Sequence, residues 1–214
     1  MQCPGEKHML ALIHLLKYLR QHTQYGLRYY AILEESPIYK MLKVNNITPS
    51  RNLFTFSDSS WDDDFDTSRS TGGYLIFHQG GVVDHSSNMP GPVAMSSAEP
   101  EYNEACLACM ATGNLHMTLN HIEGIQEGSE QDLPVDIFMD NKSAVDMSVS
   151  FKDTKNARHI RRRFHFVKQG SEQNWHKLTW ISNQFMVADV TTKTLSQKSL
   201  ESQTQWFMIC PVPE

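Results

Sequence analysis

The sequence contains no apolar run long enough to cross a membrane. Its most apolar early stretch, "MLALIHLL", covers residues 9–16, is interrupted by His14 and has no small-residue cleavage site after it, whereas a spanning helix needs about 20 apolar residues. The spacing predicts instead an amphipathic helix whose apolar face packs against a surface outside this chain. The residues of that face are Met9, Leu12, Ile13, Leu16 and Leu19. We therefore expect no membrane partner.

Cysteine and positive charge are also scarce. Of the 4 cysteines, Cys106 and Cys109 form a C-x-x-C motif without a second pair at zinc-ribbon spacing. We interpret both as helix-face residues of a reduced, intracellular protein. Lys and Arg number 19 against 24 Asp and Glu, a net charge of −5, which argues against a protein that coats nucleic acid indiscriminately. A nucleic-acid enzyme is still allowed, because acid clusters that bind cations change sign when the cations arrive.

The stretch "PVDIFMDNKSAV", residues 134–145, is an apolar strand that ends in an acid and an amide. Val135, Ile137 and Met139 alternate with bulky or polar neighbours, and a helical pattern follows Asp140 and Asn141. The acid can cap that helix, or it can bind a metal at the carboxyl end of a strand, where α/β folds place their chemistry. Taken alone, the stretch favours the cap.

The rest of the pattern predicts one mixed sheet with helices against it. "LFTFSDSSW" is a strand, "TGGYLIFHQGGVVDHSS" a hairpin that turns at residues 79–81, and "SSAEPEYNEACLACMATGNLHMTLNHIEG" a long helix. The strand at residue 135 is followed by a helix from about Asn141, a basic helix "NARHIRRRFHFVKQ", a strand "HKLTWIS" and a short helix "MVADVTTKTL". "LRYYAIL" is a candidate strand, and residues 34–52, with two prolines and an Asn pair, predict a connector.

Four acids lie at the ends of these elements. Asp58 and Asp140 end strands, Glu101 lies in the first turn of the long helix, and Asp189 lies near the start of the last one. Each has an ordinary alternative role as a turn former, a cap or a favourable charge at a helix N-terminus. Together they are candidates for one site at one pole of the sheet.

Six motifs follow one another in the order and spacing of a known family. "FSDSSW", "TSRSTGGYLIF", "AMSSAEPEYNEA", "IFMDNKSAV", "ARHIRRRFHF" and "VADVTTKTL" resemble the ribonuclease H domain of copia-type retrotransposon polyproteins. The upstream "CPGEKHMLALIHLLKYLRQHTQYGLRYY" resembles the end of that family's reverse transcriptase. The resemblance implies an α/β ribonuclease H-like fold, a mixed five-stranded sheet flanked by helices and preceded by an N-terminal amphipathic helix. It divides the chain into a reverse-transcriptase remnant (1–33), a connector (34–52), the ribonuclease H-like domain (53–195) and a C-terminal tail (196–214).

The same resemblance implies endonucleolytic hydrolysis of the RNA strand of RNA–DNA hybrids during reverse transcription. The implied partners are the hybrid and the reverse transcriptase and integrase portions of a parent polyprotein. The implied compartment is intracellular: the cytoplasm, with virus-like particles and the nucleus as further locations. The alternative is a catalytically inactive or domesticated module of the same fold that binds nucleic acid or a protein partner.

By motif, the resemblance assigns Asp58, Glu101, Asp140 and Asp189 to two Mg²⁺ ions, with Mn²⁺ as a substitute. Glu99 is the competing acid in "AEPEY"; the family pattern favours Glu101, and Glu99 suits a capping box with Ser96. Two such ions about 3.5–4 Å apart activate a water and stabilise the leaving 3′ oxygen. We expect Asp140 or Asp58 to bridge them.

Six further residues are candidates for contact with the hybrid. Arginine pairs well with phosphate oxygens, and short polar side chains can contact sugars or the minor groove. The candidates are Ser96, Ser97, Asn141, Arg158, Arg161 and Arg162; a solvated helix face is the alternative for the arginines. "SNQFMVAD" contains no histidine, so we assign no proton shuttle. We expect Trp175 and Trp180 in the core.

Overall fold

The computed structural model describes residues 5–60, 70–89, 98–149 and 161–209. Short 3₁₀ helices lie at Leu33–Glu35 and Asn183–Phe185. The other elements, in chain order, are α1 (Glu6–Gln21), β1 (Gly26–Leu27), α2 (Pro37–Val44), β2 (Leu53–Ser60), β3 (Thr71–His78), β4 (Gly81–Asn88), α3 (Ala98–Glu123), β5 (Val135–Met139), α4 (Lys142–Val149), α5 (Arg161–Glu172), β6 (His176–Trp180), α6 (Asp189–Thr192), α7 (Gln197–Thr204) and β7 (Met208–Ile209).

The central sheet of the described residues has five strands in the order β4-β3-β2-β5-β6. β2, β3 and β4 are antiparallel neighbours, whereas β5 is parallel to β2 and β6 is parallel to β5. Parallel neighbours need crossover connections, and the chain makes them through α3 before β5 and through α4 and α5 before β6. This mixed, helix-flanked sheet confirms the predicted ribonuclease H-like fold.

The hairpin between β3 and β4 turns where the sequence predicts. Gln79 and Gly80 both have positive φ, 51° and 73°, the combination that matches the twist of the two strands. Any side chain at residue 80 would also collide with Ser36. Glycine is therefore required there both by the backbone and by the packing.

The two faces of the sheet are buried by different helices. Alternation along β5 sends Phe138 to one face and its neighbours Ile137 and Met139 to the other. The first face packs against α2 and residues 186–188, and the second against α3. A strand covered on both faces is apolar along its length, which explains the near-continuous apolar sequence of β5.

Residues 34–52, expected as a connector, contain a helix that belongs to the core. The Ser36 hydroxyl accepts a hydrogen bond from the Tyr39 N–H at 3.3 Å, and Pro37 is the first residue of α2. Ile38 and Leu42 are fully buried in the cluster that covers the sheet. Proline at the first helical position starts a helix instead of breaking one, and this is why the sequence pattern misled.

The last part of the chain is likewise ordered. In residues 196–209, Ser196 caps α7, Phe207 is buried in the same cluster as α2, and β7 pairs with β1. Of the candidate strand "LRYYAIL", residues 27–33, only Leu27 lies in a strand, as the second residue of β1. The packed body thus extends beyond residues 53–195 on both sides.

α1 forms the predicted helix, but its apolar face is not covered by the described part of the chain. None of its residues is buried, and its apolar side chains are exposed, including Leu10 and Leu15 beside the predicted face. Trp175 and Trp180, expected in the core, are also exposed, by 41% and 48%. Among the helices that the structure describes, none has both the length and the apolar character needed to span a membrane.

Candidate active site

Three of the predicted acids meet at one edge of the sheet. Asp58 lies in β2 and Asp140 directly after β5, each two residues beyond the paired Phe56 and Phe138 of these adjacent parallel strands. The register therefore places both acids at the same level. Glu101, in the first turn of α3, completes the group, and one carboxylate oxygen from each residue lies within 4.8 Å of the others.

Burial and mutual repulsion raise the pKa values of two of these carboxyls. For Asp58, burial outweighs the attraction of Lys193 and raises the pKa to about 6. For Glu101, burial and then the charges of Asp58 and Asp140 raise the pKa to about 9, although the Ser59 N–H donates a hydrogen bond to this carboxylate. A cation placed among the three would remove the repulsion and favour their ionised forms.

Two carboxylate oxygens of the three acids have no hydrogen-bond partner among the described residues and are therefore suited to bind a metal ion. Asp58 Oδ1 and Glu101 Oε2 are buried and accept no hydrogen bond from the described residues. Buried polar atoms in native proteins are nearly always satisfied, so these two carry an unmet demand for a donor or a cation. Hard carboxylate oxygens are the ligands that Mg²⁺ prefers.

The second oxygen of Asp58 faces a different environment. Its Oδ2 accepts a hydrogen bond from the Thr192 hydroxyl and lies 3.4 Å from Lys193 Nζ. Both partners come from the end of α6. The two oxygens of one carboxylate thus point to two different surroundings.

Asp189, the fourth predicted ligand, is not in the group of three found among the described residues. Its side chain is buried at the start of α6, where Lys193 Nζ lies 2.7 Å from Oδ1 and the Gln203 amide donates to Oδ2 at 3.2 Å. The same lysine contacts Asp58. Asp189 is therefore linked to the group through Lys193, and its role as a ligand stays a prediction.

The ambiguity over Asp140 is resolved by its neighbour. Asn141 Oδ1 accepts a hydrogen bond from the Ala144 N–H at 3.1 Å and so caps α4. The Asp140 carboxylate instead accepts from the Asn183 amide at 3.0 Å, and its carbonyl accepts from the Trp180 indole at 2.9 Å. The amide does the capping, which leaves the acid oriented toward Asp58 and Glu101.

The candidate hybrid contacts are for the most part outside the described residues. This applies to Ser96, Ser97 and Arg158 and to the side chains of Arg161 and Arg162. The backbone of both these arginines starts α5. Contacts of all six candidates with nucleic acid stay predictions.

We compared the chain with protein families, with known proteins and with solved structures. No protein-family model matches the chain. It is 26% identical over 92% of its length to the retrovirus-related Pol polyprotein from transposon TNT 1-94 of Nicotiana tabacum, and 24% identical over 100% of its length to that from transposon RE1 of Arabidopsis thaliana. The chain is a relative of retrovirus-related Pol polyproteins. The resemblance to copia-type polyproteins predicted from the sequence is thereby confirmed.

The Pol-related chain spans 13% of the length of each of these two relatives. Among solved structures, it is similar to ribonuclease H1 from Halobacterium salinarum, with a TM-score of 0.47 and 13% identity over 65% of this chain and 93% of the other.

Sequence reasoning missed one buried acid of this Pol-related chain, Glu104. Its side chain lies one turn beyond Glu101 on α3, is fully buried, and has no hydrogen-bond partner for either oxygen among the described residues. Any side chain at Gly72 would collide with its carboxylate. Burial raises the pKa of Glu104 to about 7, against the attraction of Arg163. Its helical spacing from Glu101 was a readable signal, since residues three apart share a face.

We expect Glu104→Gln to stabilise the metal-free protein at alkaline pH. Because the folded pKa of about 7 lies above the unfolded value, stability is lost as pH rises through that range, and the amide escapes this loss. The gain should be about 1–3 kcal/mol at pH 9 and several-fold smaller at pH 5. Denaturant unfolding with a chelator at both pH values measures it.

The matched control is Glu127→Gln, which changes an exposed glutamate in the loop before β5 and should have no effect at either pH. An equal gain for Glu104→Gln at pH 5 and pH 9 would contradict a buried, titrating carboxyl.

Proposed function

We propose that this chain hydrolyses the RNA strand of RNA–DNA hybrids in a divalent-metal-dependent, endonucleolytic reaction during retrotransposon reverse transcription. The observation that carries the proposal is the convergence of Asp58, Glu101 and Asp140, within 4.8 Å of one another, at the edge of a ribonuclease H-like sheet. The relatedness to Pol polyproteins supports it. The reverse transcriptase and integrase portions of a parent polyprotein are the proposed partners, in an intracellular setting.

The acids would hold the metal, Mg²⁺ with Mn²⁺ as a substitute. When bound, the ions supply a water of lowered pKa and charge stabilisation for the leaving oxygen. In the balanced reaction, the water oxygen bonds to phosphorus, the bond from phosphorus to the 3′ oxygen breaks, and that oxygen takes a proton. A 5′-phosphate and a 3′-hydroxyl result.

The chain's own residues orient the acids for this work. The Asn183 amide fixes one oxygen of Asp140, and the Thr192 hydroxyl donates a hydrogen bond to Oδ2 of Asp58. Outer contacts of this kind restrict the rotamers of ligands, and losing them costs about 10–100-fold in metal affinity or activity. Described residues 182–189 contain no histidine, so we assign no proton shuttle in this segment.

Cleavage of a labelled RNA–DNA hybrid tests the proposal. We expect the wild-type chain with Mg²⁺ to cut the RNA strand and Asp140→Asn to leave it intact, because the amide cannot supply the charge that the metal needs. The assay compares product formation with and without a chelator. Duplex DNA of the same sequence is the matched substrate control and should survive.

A wild-type chain as inert as Asp140→Asn would overturn the enzymatic function and leave the inactive binding module. Cutting of duplex DNA at the rate of the hybrid would instead indicate a metal nuclease of the same fold with another substrate.

A further inference from the structure

Lys193 contacts two acids that belong to different elements. It follows the last residue of α6, where its N–H donates to the Asp189 carbonyl at 2.9 Å and its backbone is extended. The ammonium lies 2.7 Å from Asp189 Oδ1 and 3.4 Å from Asp58 Oδ2. One cation of the chain therefore joins the group of three acids to the fourth.

The charge of this ammonium is secured by its surroundings. A lysine side chain is positively charged at neutral pH, and here two carboxylates lie within 3.4 Å of the ammonium. These contacts favour its charged form. Its side chain is still 32% exposed, and a flexible four-carbon stem lets an ammonium move out to solvent.

The two oxygens of Asp58 divide the site into two positions. Oδ1 is buried and has no hydrogen-bond partner among the residues that the structure describes, while Oδ2 lies 3.4 Å from Lys193 Nζ. A carboxylate so arranged can bridge two cations, one at each oxygen. The ammonium occupies the second of these positions, between Asp58 and Asp189.

We propose that Lys193 is a built-in competitor for the second divalent ion. A first ion binds to Asp58, Glu101 and Asp140 while the ammonium stays between Asp58 and Asp189. A second ion, shared by Asp58 and Asp189, binds only by displacing the ammonium, so it binds more weakly than the first. The inference rests on the metal site of the proposed function, but it does not depend on which substrate is cut.

Isothermal titration calorimetry of the full chain with Mg²⁺ alone tests this. We expect the wild type to bind one ion tightly and a second more weakly. Lys193→Gln should raise the affinity for the second ion by about tenfold or more, because a unit charge a few ångströms away no longer opposes it. Lys193→Arg keeps the charge and should retain the weak second phase.

The matched control is Lys198→Gln, which removes the charge of an exposed lysine on α7 and should leave both phases unchanged. Two ions of equal affinity in the wild type would overturn the proposal, and this readout stands even if Lys193→Gln fails to fold. A folded Lys193→Gln with an unchanged second phase would overturn it as well.

The failure of the two proposals can be told apart. A chain that binds Mg²⁺ as expected but cuts no hybrid contradicts the proposed function alone. If the chain cuts the hybrid but Lys193→Gln leaves the affinity for the second ion unchanged, only the proposed role of the lysine is contradicted.

Discussion

Asp58→Asn should lower hybrid cleavage more than about a hundredfold, since even outer contacts of metal ligands are worth 10–100-fold. The same variant should make the metal-free protein more stable above pH 6. Burial raises the folded pKa of Asp58 to about 6, above its unfolded value, so ionisation costs stability as pH rises through that range. The neutral amide removes this cost, which we expect to be about 1–3 kcal/mol at pH 8 and several-fold smaller at pH 4.

Cleavage rates and thermal unfolding with a chelator measure the two effects. Circular dichroism should show an intact fold, because the acid serves a cation and not the core. Asp84→Asn, at an exposed acid of β4, is the control and should match the wild type in both. Retention of activity within tenfold, or loss of the dichroism signal, would refute the metal-ligand role of Asp58.

Arg51→Met should destabilise the fold by about 3 kcal/mol, the cost of removing one partner of a buried ion pair. The Arg51 side chain is 9% exposed and lies 3.6 Å from Asp132 Oδ1. It also donates to Asn120 Oδ1 at 2.7 Å and contacts the His116 ring. These partners tie the C-terminal half of α3 and the loop before β5 to the start of β2, at the opposite end of α3 from Glu101.

The destabilisation by Arg51→Met should be smaller at pH 5 than at pH 8. In the wild type, burial and then Arg51 hold the pKa of His116 below its usual value, so stability is lost as pH falls below the unfolded pKa. Without the arginine, the imidazole can take a proton against Asp132, which lies 3.0 Å from its Nε2, and recover part of the lost pairing. Urea unfolding at the two pH values measures the difference.

Arg20→Met is the matched control, since it removes the same side chain from α1, where no residue is buried. It should stay within about 0.5 kcal/mol of the wild type at both pH values. A pH-independent loss for Arg51→Met would mean that the cluster acts through packing alone.

Much of the sheet could be predicted because its signals are local. The alternation in β5, the turn at Gln79 and Gly80 and the long apolar spacing of α3 each depend on neighbouring residues, and all three agree with the structure. Asp140 likewise follows the end of β5 as predicted, whereas Asp58, predicted to end its strand, lies two residues before the end of β2.

The features that the sequence did not predict depend on contacts between residues that are far apart in the chain. Pro37 indicated a loop, but the burial of Ile38 and Leu42 against the sheet decided for a helix. The pairing of Asp189 with Lys193 could have been read from their spacing of four; the contact of the same lysine with Asp58, on a distant strand, could not. The sequence also placed Trp180 in the core. Its indole instead donates to the Asp140 carbonyl, a partner too remote in sequence for a local pattern to reveal.

The short ribbon of β1 and β7 sets how this body responds to tension. Gly26 pairs with Ile209 and Leu27 with Met208, so the chain enters and leaves the packed body side by side. A force that separates the two flanking segments would therefore open these two pairs one after the other before it reaches the five-stranded sheet.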